Sequence, residues 1–538
     1  MATEDELRAA RHAKAEALLE AGTLPFPNDL RIDEPTEARR RALLALAADE
    51  AAVAALPEES ELPEDAERWE LYGRVMAKRG PFLVIRTPYG DGQALVRKEA
   101  LSEQDAAQLA RLDLADHVWV RGPAIRTRTG QLALRGEDYR HVTKALLPPP
   151  AKWHGLKDVE KRYRERYVDL FANPQVAAVF RARAEIVSAL RRFLDARGFL
   201  EVETPTLHSV RGGATAKPFD THHNALDLDL FLRIAPELYL KRLLVGGFDR
   251  VYEIARCFRN EGISARHNPE FSMVELYQAY ASHEELMDLV EGLLRSIDTA
   301  LEPRRDSLGP AAAIEARDFD LSAPWARIPM RRAILDRLER AGEGEIPECA
   351  WTAIDASTLD DPSRLEAAIE ARLETLEPPD RKLLASCANH GERIFALYEL
   401  LAEPELTRLY RTADGRRSVP VFITEYPFEV SPLARKNDAD PRWVDRFEIF
   451  IDGREMGNGF SELNDPLDQA ERFEAQLQAR ARGAEETMDF DADYVRALSH
   501  GMPPAAGFGL GVDRLVMLLC GQPSIRDVLL FPLLRPEA

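Results

Sequence analysis

The spacing of hydrophobic positions changes several times along the chain, and each change predicts a different kind of element. Leu7, Ala10, Ala13 and Leu18 form a thin apolar face at helical spacing over residues 4 to 21, stopped by Gly22, Pro25, Pro27 and Asn28. A second Ala/Leu/Arg-rich helix is expected over about 35 to 57. From 69 to 143 the period shortens to that of strands. WELYGRVMAKR, PFLVIRTP, QALVRK, HVWVRGPAIRTRTGQLALRG and DYRHVTKAL are parted by Gly, Pro and Asp turns. About five strands in so short a span suit a small closed barrel of the OB type, a fold that often binds single-stranded nucleic acid.

Pro148, Pro149 and Pro150 form a stiff break, where a domain boundary is expected. Beyond it LKDVEKRYRERYVDLF reads as one charged helix. The helix over about 174 to 197 buries Val179, Ile186, Leu190, Phe193 and Leu194 and ends at Gly198. FLEVETP at 199 to 205 reads as a short strand. RGGATAKPF at 211 to 219 reads as a glycine loop, and PELYLKRLLVGG as a helix opened by Pro236. RVYEIARCF and FSMVELYQAY alternate as a strand pair, with FRNEGISARHNPE between them as a loop. Ser282 and Glu285 cap the helix that follows. Residues 303 to 417 are rich in Glu, Arg, Ala and Leu and read as a helical insertion. Strand signals return at 418, and GFGLGVDRLVMLL runs from a strand into a helix. Its glycines lack the GxGxxG spacing and a βαβ context, so they point to a close approach of ligand and backbone, not to a dinucleotide site.

Composition narrows this picture. The 538 residues are 45% hydrophobic and 30% charged, a globular composition long enough for about three domains. A formal net charge of −21 argues against a generally basic nucleic-acid-binding surface, though not against a local basic groove. Cys257, Cys349, Cys387 and Cys520 have no close spacing, so neither a zinc site nor a disulfide framework is expected, and a reducing cytoplasm is the natural compartment. Neither a signal peptide nor an apolar run long enough to span a membrane is evident.

The hairpin over 250 to 279 carries the densest chemistry. Arg259, Arg266 and His267 crowd its loop, among Glu261 and Glu275, and a loop so charged suggests a polyanion held over a sheet. A solvated hairpin tip is the alternative on these residues alone. In the barrel, Arg74, Lys78, Arg79, Arg121, Arg126 and Arg128 accompany Phe82 and Tyr89, cations and stacking faces suited to single-stranded nucleic acid.

Three stretches taken in order resemble the signature set of the class II aminoacyl-tRNA synthetases: GFLEVETP their first motif, FRNEGISARHNPEF the second and GLGVDR the third. GGATAKPF, THHNALDLDLFLRIAPELYLKRL, RHNPEFSMVELY, EVSPLARKND and GREMGNGFSELND are most similar to the lysyl branch of that family. The resemblance implies an α+β chain with an N-terminal helical extension at 1–68 and an OB-type anticodon-binding barrel at 69–147. A catalytic domain at 148–538 follows, an antiparallel sheet flanked by helices, with the insertion inside it. It implies ATP-dependent activation of lysine to lysyl-adenylate and transfer of the lysyl group to tRNA(Lys), in a cytoplasmic homodimer joined through the first motif.

By the same resemblance Arg259 is the catalytic residue, gripping both the substrate carboxylate and the α-phosphate, as a planar fork allows. Glu261, Arg266, His267, Phe271, Glu448 and Arg514 complete the ATP site, with adenine between Phe271 and Arg514. Glu448 and Glu455 would carry Mg2+, whose hard charge favours oxygen ligands. Gly213, Glu237, Glu275, Tyr277, Asn458, Phe460 and Glu462 would hold lysine. Glu275, Tyr277 and Glu462 meet its ε-ammonium; Glu237 and the Gly213 carbonyl meet its α-amino group. Arg74, Phe82 and Gln93 would read the anticodon, although AKRGPF is a shortened turn and VIRT replaces the usual acidic ending. Two rivals stay open at this stage: a synthetase scaffold that binds RNA without catalysis, and a lysyl transferase acting on a protein.

Overall fold

Alternation of apolar and polar residues between Arg68 and Thr143 closes a sheet on itself. The computed structural model describes residues 3–150, 156–214, 216–351, 354–481 and 487–537. Strands β1 (Arg68–Arg79), β2 (Phe82–Thr87), β3 (Gly90–Leu95), β4 (His117–Arg126), β5 (Leu132–Arg135) and β6 (Asp138–Thr143) run in the order β1-β2-β3-β5-β4-β6. A further β4–β1 pairing closes a five-stranded ring, with β6 added to β4, as an OB-type barrel requires. Leu71, Val75, Leu83, Ile85, Val118, Val120 and Leu134 fill its interior. Leu43 and Val53 of the N-terminal helices join the same core, so extension and barrel make one body. The single helix expected over 35 to 57 is two, Glu34–Leu46 and Glu50–Ala54, because Asp49 caps the second with its own side chain. The charged helix after the prolines is also two, Val159–Arg164 and Arg166–Ala172. The first compact unit extends through them to Asn173, and the second begins at Pro174.

In the second unit, strands β7 (Leu200–Glu201), β8 (Leu207–His208), β9 (Asp220–His223) and β10 (Leu228–Leu232) lead into the expected hairpin, β11 (Arg250–Phe258) and β12 (Glu270–Ala279). Then come β13 (Ala326–Pro329), β14 (Val421–Pro427), β15 (Trp443–Ile451), β16 (Arg454–Ser461) and β17 (Ala505–Gly511). Eight of these form one sheet, β13-β14-β15-β16-β17-β12-β11-β7, antiparallel except at its two outer pairings. FLEVETP gives only the two-residue β7, since the chain leaves the sheet before Pro205.

Period two puts the sides of this sheet to different uses. On β12, Val274 and Leu276 are fully buried in the core made with helices Pro174–Asp195, His283–Ala300 and Val512–Leu519, while Met273, Glu275 and Tyr277 point the other way. Truncating Leu276 to Ala there would cost about 2–5 kcal/mol. Asp452 and Gly453, both at positive φ, make the two-residue turn between β15 and β16. That turn pairs Ile451 with Arg454, and a bulge between Ile449 and Phe450 then shifts the register by one, which sets Glu448 opposite Asn458.

The segment 303 to 417 is mainly helical but is not a separate insertion. It contributes edge strand β13, and its Leu365, Ile369, Ile394 and Tyr398 share a core with Val421, Ile423 and Val444 of the sheet. Thr215, inside the expected glycine loop, and residues 482–486, which follow helix Pro466–Ala481, lie outside the described residues.

Candidate active site

The open side of the sheet holds a cavity of about 390 Å³ lined from β11–β12, β15–β17 and helix Glu237–Val245. Gly213, Glu237, Arg259, Glu261, Arg266, His267 and Phe271 line it, as do Glu275, Tyr277, Glu448, Glu455, Asn458, Phe460 and Arg514. Glu462 lies just behind this lining, 1% exposed. One enclosure therefore collects the residues expected for amino acid, nucleotide and metal.

Its floor is acidic. Glu237, Glu275 and Glu462 are all buried, and the Tyr277 hydroxyl donates to Glu275 at 2.9 Å. Glu275 is raised well above the usual carboxylate range, first by burial and then by the charge of Glu237. Burial also lifts Glu462 to about 8, against the pull of Lys241. Lys241 lies within ion-pair distance of Glu462. Carboxylates so buried call for a cation. Gly507 of β17 makes room for them, because a Cβ there would strike Glu462 and the Tyr277 ring. The glycines of β17 thus serve side chains as well as an approaching ligand. Gly213, at φ +87°, adopts a backbone that favours glycine.

The cationic end lies on the hairpin. Arg259 is half-buried, its Nε has no hydrogen-bond partner, and its guanidinium lies 5.1 Å from the Phe271 ring centroid. Arg266 and His267 are exposed in the loop, which Ser264 braces by bonding the His267 ring at 2.9 Å. His267 is lowered by burial and by Arg514, so the neutral imidazole is favoured. Phe271 therefore contacts Arg259, while Arg514 reaches across to Glu455, donating to its backbone carbonyl at 3.0 Å and its carboxylate at 3.2 Å. Phe271 and Arg514, the two residues expected to flank adenine, both line the cavity.

Glu448 and Glu455 stand on facing strands, β15 and β16. Burial lifts Glu448 to about 7, with Arg446 pulling it back and Glu455 adding to the rise. Two mutually repelling carboxylates at a cavity wall suit a divalent cation that takes its other oxygens from phosphate and water. Among the described residues no group of three or more His, Cys, Asp or Glu is arranged to hold a metal by itself.

Two residues escaped the sequence reading. Arg446 bonds Glu448 at 2.7 Å, Asn458 at 3.0 Å and Ser431 at 2.8 Å, so it sets both a metal candidate and a lysine candidate. Lys241 bonds Glu237 at 2.6 Å and faces Glu462. Its place four residues after Glu237 on one helix was a visible signal.

In the barrel, Phe82 and Gln93 share the partly exposed face of β2 and β3, where Gln93 stands opposite Val84. Gln93 bonds Gln131 at 2.9 Å. Phe82 also packs against the small cluster of Leu95, Ile125 and Ala133. Arg74 departs from them, donating to the Ala115 carbonyl at 3.1 Å and covering the Phe171 ring at 4.3 Å.

Residues 158–535 match the family model for class II tRNA synthetases (D, K and N). The chain is 46% identical, across 99% of its length and 98% of the relative's, to a protein named Lysine--tRNA ligase from Anaeromyxobacter sp. (strain K). It is 45% identical to the protein of that name from Chromohalobacter salexigens, covering 99% and 97%. With the one from Xanthomonas oryzae pv. oryzae the identity is 48%, over 87% and 86%.

Proposed function

We propose, for a chain that belongs to the class II tRNA synthetases (D, K and N), that its cavity activates lysine with ATP and charges tRNA(Lys). Lysine attacks the α-phosphate of ATP, giving lysyl-adenylate and pyrophosphate, and the lysyl group then passes to the 3′-terminal adenosine of the tRNA. The observation that carries the choice of lysine is the floor of three buried carboxylates, Glu237, Glu275 and Glu462, at one cavity.

In this reading the ε-ammonium lies between Glu275, Tyr277 and Glu462, and the α-amino group meets Glu237 and the Gly213 carbonyl. Phe460 flanks the aliphatic stem, and Asn458 and Arg259 take the substrate carboxylate. A neutral side chain would leave buried charge uncompensated, which is how the pocket refuses it. Arg259 also grips the α-phosphate, so one guanidinium holds nucleophile and electrophile together. Its unpartnered Nε supports that role. Arg266 and His267 serve the β- and γ-phosphates, Glu261 completes the ATP site, and adenine lies between Phe271 and Arg514.

Glu448 and Glu455 are the proposed holders of Mg2+, which when bound would neutralise phosphate charge during attack. Arg446 and Arg514 keep the two carboxylates oriented toward the cavity.

Phe82 and Gln93 are proposed to meet the anticodon, Phe82 by stacking and Gln93 by hydrogen bonding. A homodimer is proposed through the first-motif edge. There β7 ends the sheet, and Leu200 and Leu207 are nearly half exposed. No helix among the described residues is long and apolar enough to cross a membrane; the cytoplasm is the proposed compartment.

Lysine-dependent ATP–pyrophosphate exchange, followed by charging of a tRNA(Lys) transcript in the same preparation, tests the reading. Both activities are expected. Exchange without charging would favour a protein acceptor, and neither would favour an RNA-binding scaffold.

A further inference from the structure

Helix Glu237–Val245 turns Lys241 inward until its ammonium is 0% exposed. Its Nζ lies 2.6 Å from Glu237 Oε1, within ion-pair distance of Glu462 Oε2 and 5.1 Å from the Phe460 ring centroid. It therefore joins the carboxylate proposed for the substrate's α-amino group to one proposed for its ε-ammonium. An ammonium with no solvent access, already engaged by two carboxylates, is not placed to bind substrate itself.

We propose that Lys241 is a positioning residue that sets the net charge of the amino-acid pocket, and so selects a substrate carrying two ammonium groups. The inference rests on the lysine reading of this cavity. Glu237, Glu275 and Glu462 together carry three negative charges when ionised. Lys241 cancels one and leaves two, matching a diammonium ligand whose carboxylate is taken by Arg259. Without the internal cation, the three carboxylates in this dry enclosure would hold protons more tightly than they already do, since like charges that close do not all ionise and Lys241 is what draws Glu462 down. A protonated carboxyl is a poorer seat for an ammonium. With Lys241 in place, a ligand bearing only the α-ammonium leaves one negative charge unmatched, and buried unmatched charge is strongly disfavoured.

The surroundings agree with a charged Lys241. Burial alone would lower it, but Glu237 and Glu462 outweigh burial and raise it above its ordinary value. From helix Ala492–Leu498 the Tyr494 phenol faces it, kept neutral chiefly by burial. From β12 come Glu275 and the Tyr277 phenol, which burial also holds neutral. Glu253, the next carboxylate, is matched by Arg233 at 2.6 Å and stays outside the count. Lys241 is also the principal group that draws Glu462 down from a higher value.

The test compares Lys241→Arg, which keeps the charge, with Lys241→Gln, which keeps a polar donor and removes the charge. Lysine-dependent pyrophosphate exchange is followed from pH 6.5 to 9 for each, with KM resolved for lysine and for ATP. The Gln variant is expected to raise KM for lysine at least tenfold at pH 7. Part of that loss should return as pH rises and the pocket sheds its extra proton. Its KM for ATP should stay within about twofold, and the Arg variant should keep the profile of the unaltered enzyme. A purely structural role would lower kcat in both variants and leave the pH profile alone. Equal profiles in Gln variant and unaltered enzyme, or equal displacement by Arg and Gln, would overturn the proposal. Competition by 1,5-diaminopentane in the unaltered enzyme checks the pocket separately. If neither it nor lysine binds there, the lysine reading fails; if both bind while the variants behave alike, only the role of Lys241 falls.

Discussion

Arg446 stands two residues before Glu448 on β15, on the same face of the strand, and grips its carboxylate at 2.7 Å. The same guanidinium also bonds Asn458, Ser431 and the Val430 carbonyl, so one planar fork ties the nucleotide end of the cavity to the amino-acid end. Groups that orient a metal-binding carboxylate typically change metal affinity or activity about 10–100-fold when removed. Arg446→Met is therefore expected to raise the Mg2+ needed for half-maximal pyrophosphate exchange by a factor in that range. Arg446→Lys should rescue little, because an ammonium lacks the fork that reaches all these acceptors. A Mg2+ titration of both variants checks this; half-saturation within twofold of the unaltered enzyme would remove Arg446 from the site.

Glu462→Gln should separate lysine recognition from nucleotide recognition. The amide cannot supply the charge that the ε-ammonium needs, and it leaves Lys241 with one carboxylate. Loss of a charged hydrogen bond of about 1.5–3 kcal/mol corresponds to a KM for lysine raised about 10- to 150-fold. KM for ATP should change far less, since no ATP candidate contacts Glu462. Unaltered lysine kinetics in this variant would sink the pocket assignment.

Gly507→Ala should injure the same pocket by shape. The new Cβ meets Glu462 and the Tyr277 ring, and both lie in the packed floor. Neither can retreat, because Tyr277 is 3% and Glu462 1% exposed. The expected outcome is a lower Tm and at least a tenfold rise in KM for lysine, with Gly511→Ala as a milder control, since its Cβ would touch only Arg514 at ordinary contact distance. A Gly507→Ala enzyme with normal lysine kinetics would mean that the floor rearranges freely.

How far these features were legible from the sequence depended on their range. The hairpin β11–β12 announced itself because Val274 and Leu276 alternate with Glu275 and Tyr277, and the loop residues lie within one continuous stretch. Arg514, in contrast, bonds Glu455 across a long stretch of sequence, and only the pairing of β16 with β17 brings the two together. β13 was hidden for another reason. Ala326–Pro329 is four residues long, holds an arginine and a proline, and pairs on one side only, so no alternation marks it. Lys241 follows Glu237 by one helical turn, a spacing the sequence shows, but only the fold shows that this side of the helix is enclosed.

The empty protein should lose stability as pH rises from about 7 to 8.5. Glu462, lifted to about 8, and Glu275, raised well above the ordinary value, hold protons in the folded chain that they release when unfolded. Such groups stabilise the fold fully below the unfolded value, and that stability drains away as pH climbs through the folded one. Histidines lowered by burial, such as His208 and His267, act below this window and cannot produce the slope. Saturating lysine should flatten it, because an ammonium between the carboxylates favours their ionised form. Thermal denaturation with and without lysine checks this: the lysine-induced rise in Tm should grow with pH, and a constant increment would count against ionisable carboxylates in the pocket.

Phe82→Ala and Arg74→Ala should part company in the barrel. Phe82 offers a partly exposed ring on the face that also presents Gln93, and removing a stacking ring costs about 1–3 kcal/mol per base. The variant is expected to bind tRNA(Lys) about 5- to 150-fold more weakly while lysine-dependent pyrophosphate exchange stays unchanged, since that step needs no tRNA. Arg74 spends its guanidinium on Phe171 and the Ala115 carbonyl, and burial lowers its affinity for a proton. Its truncation should therefore lower the Tm of the barrel unit and weaken tRNA only slightly. Filter binding with transcripts altered at the anticodon distinguishes the two. If Arg74→Ala abolishes anticodon preference while Phe82→Ala preserves it, the arginine and not the ring is the reader.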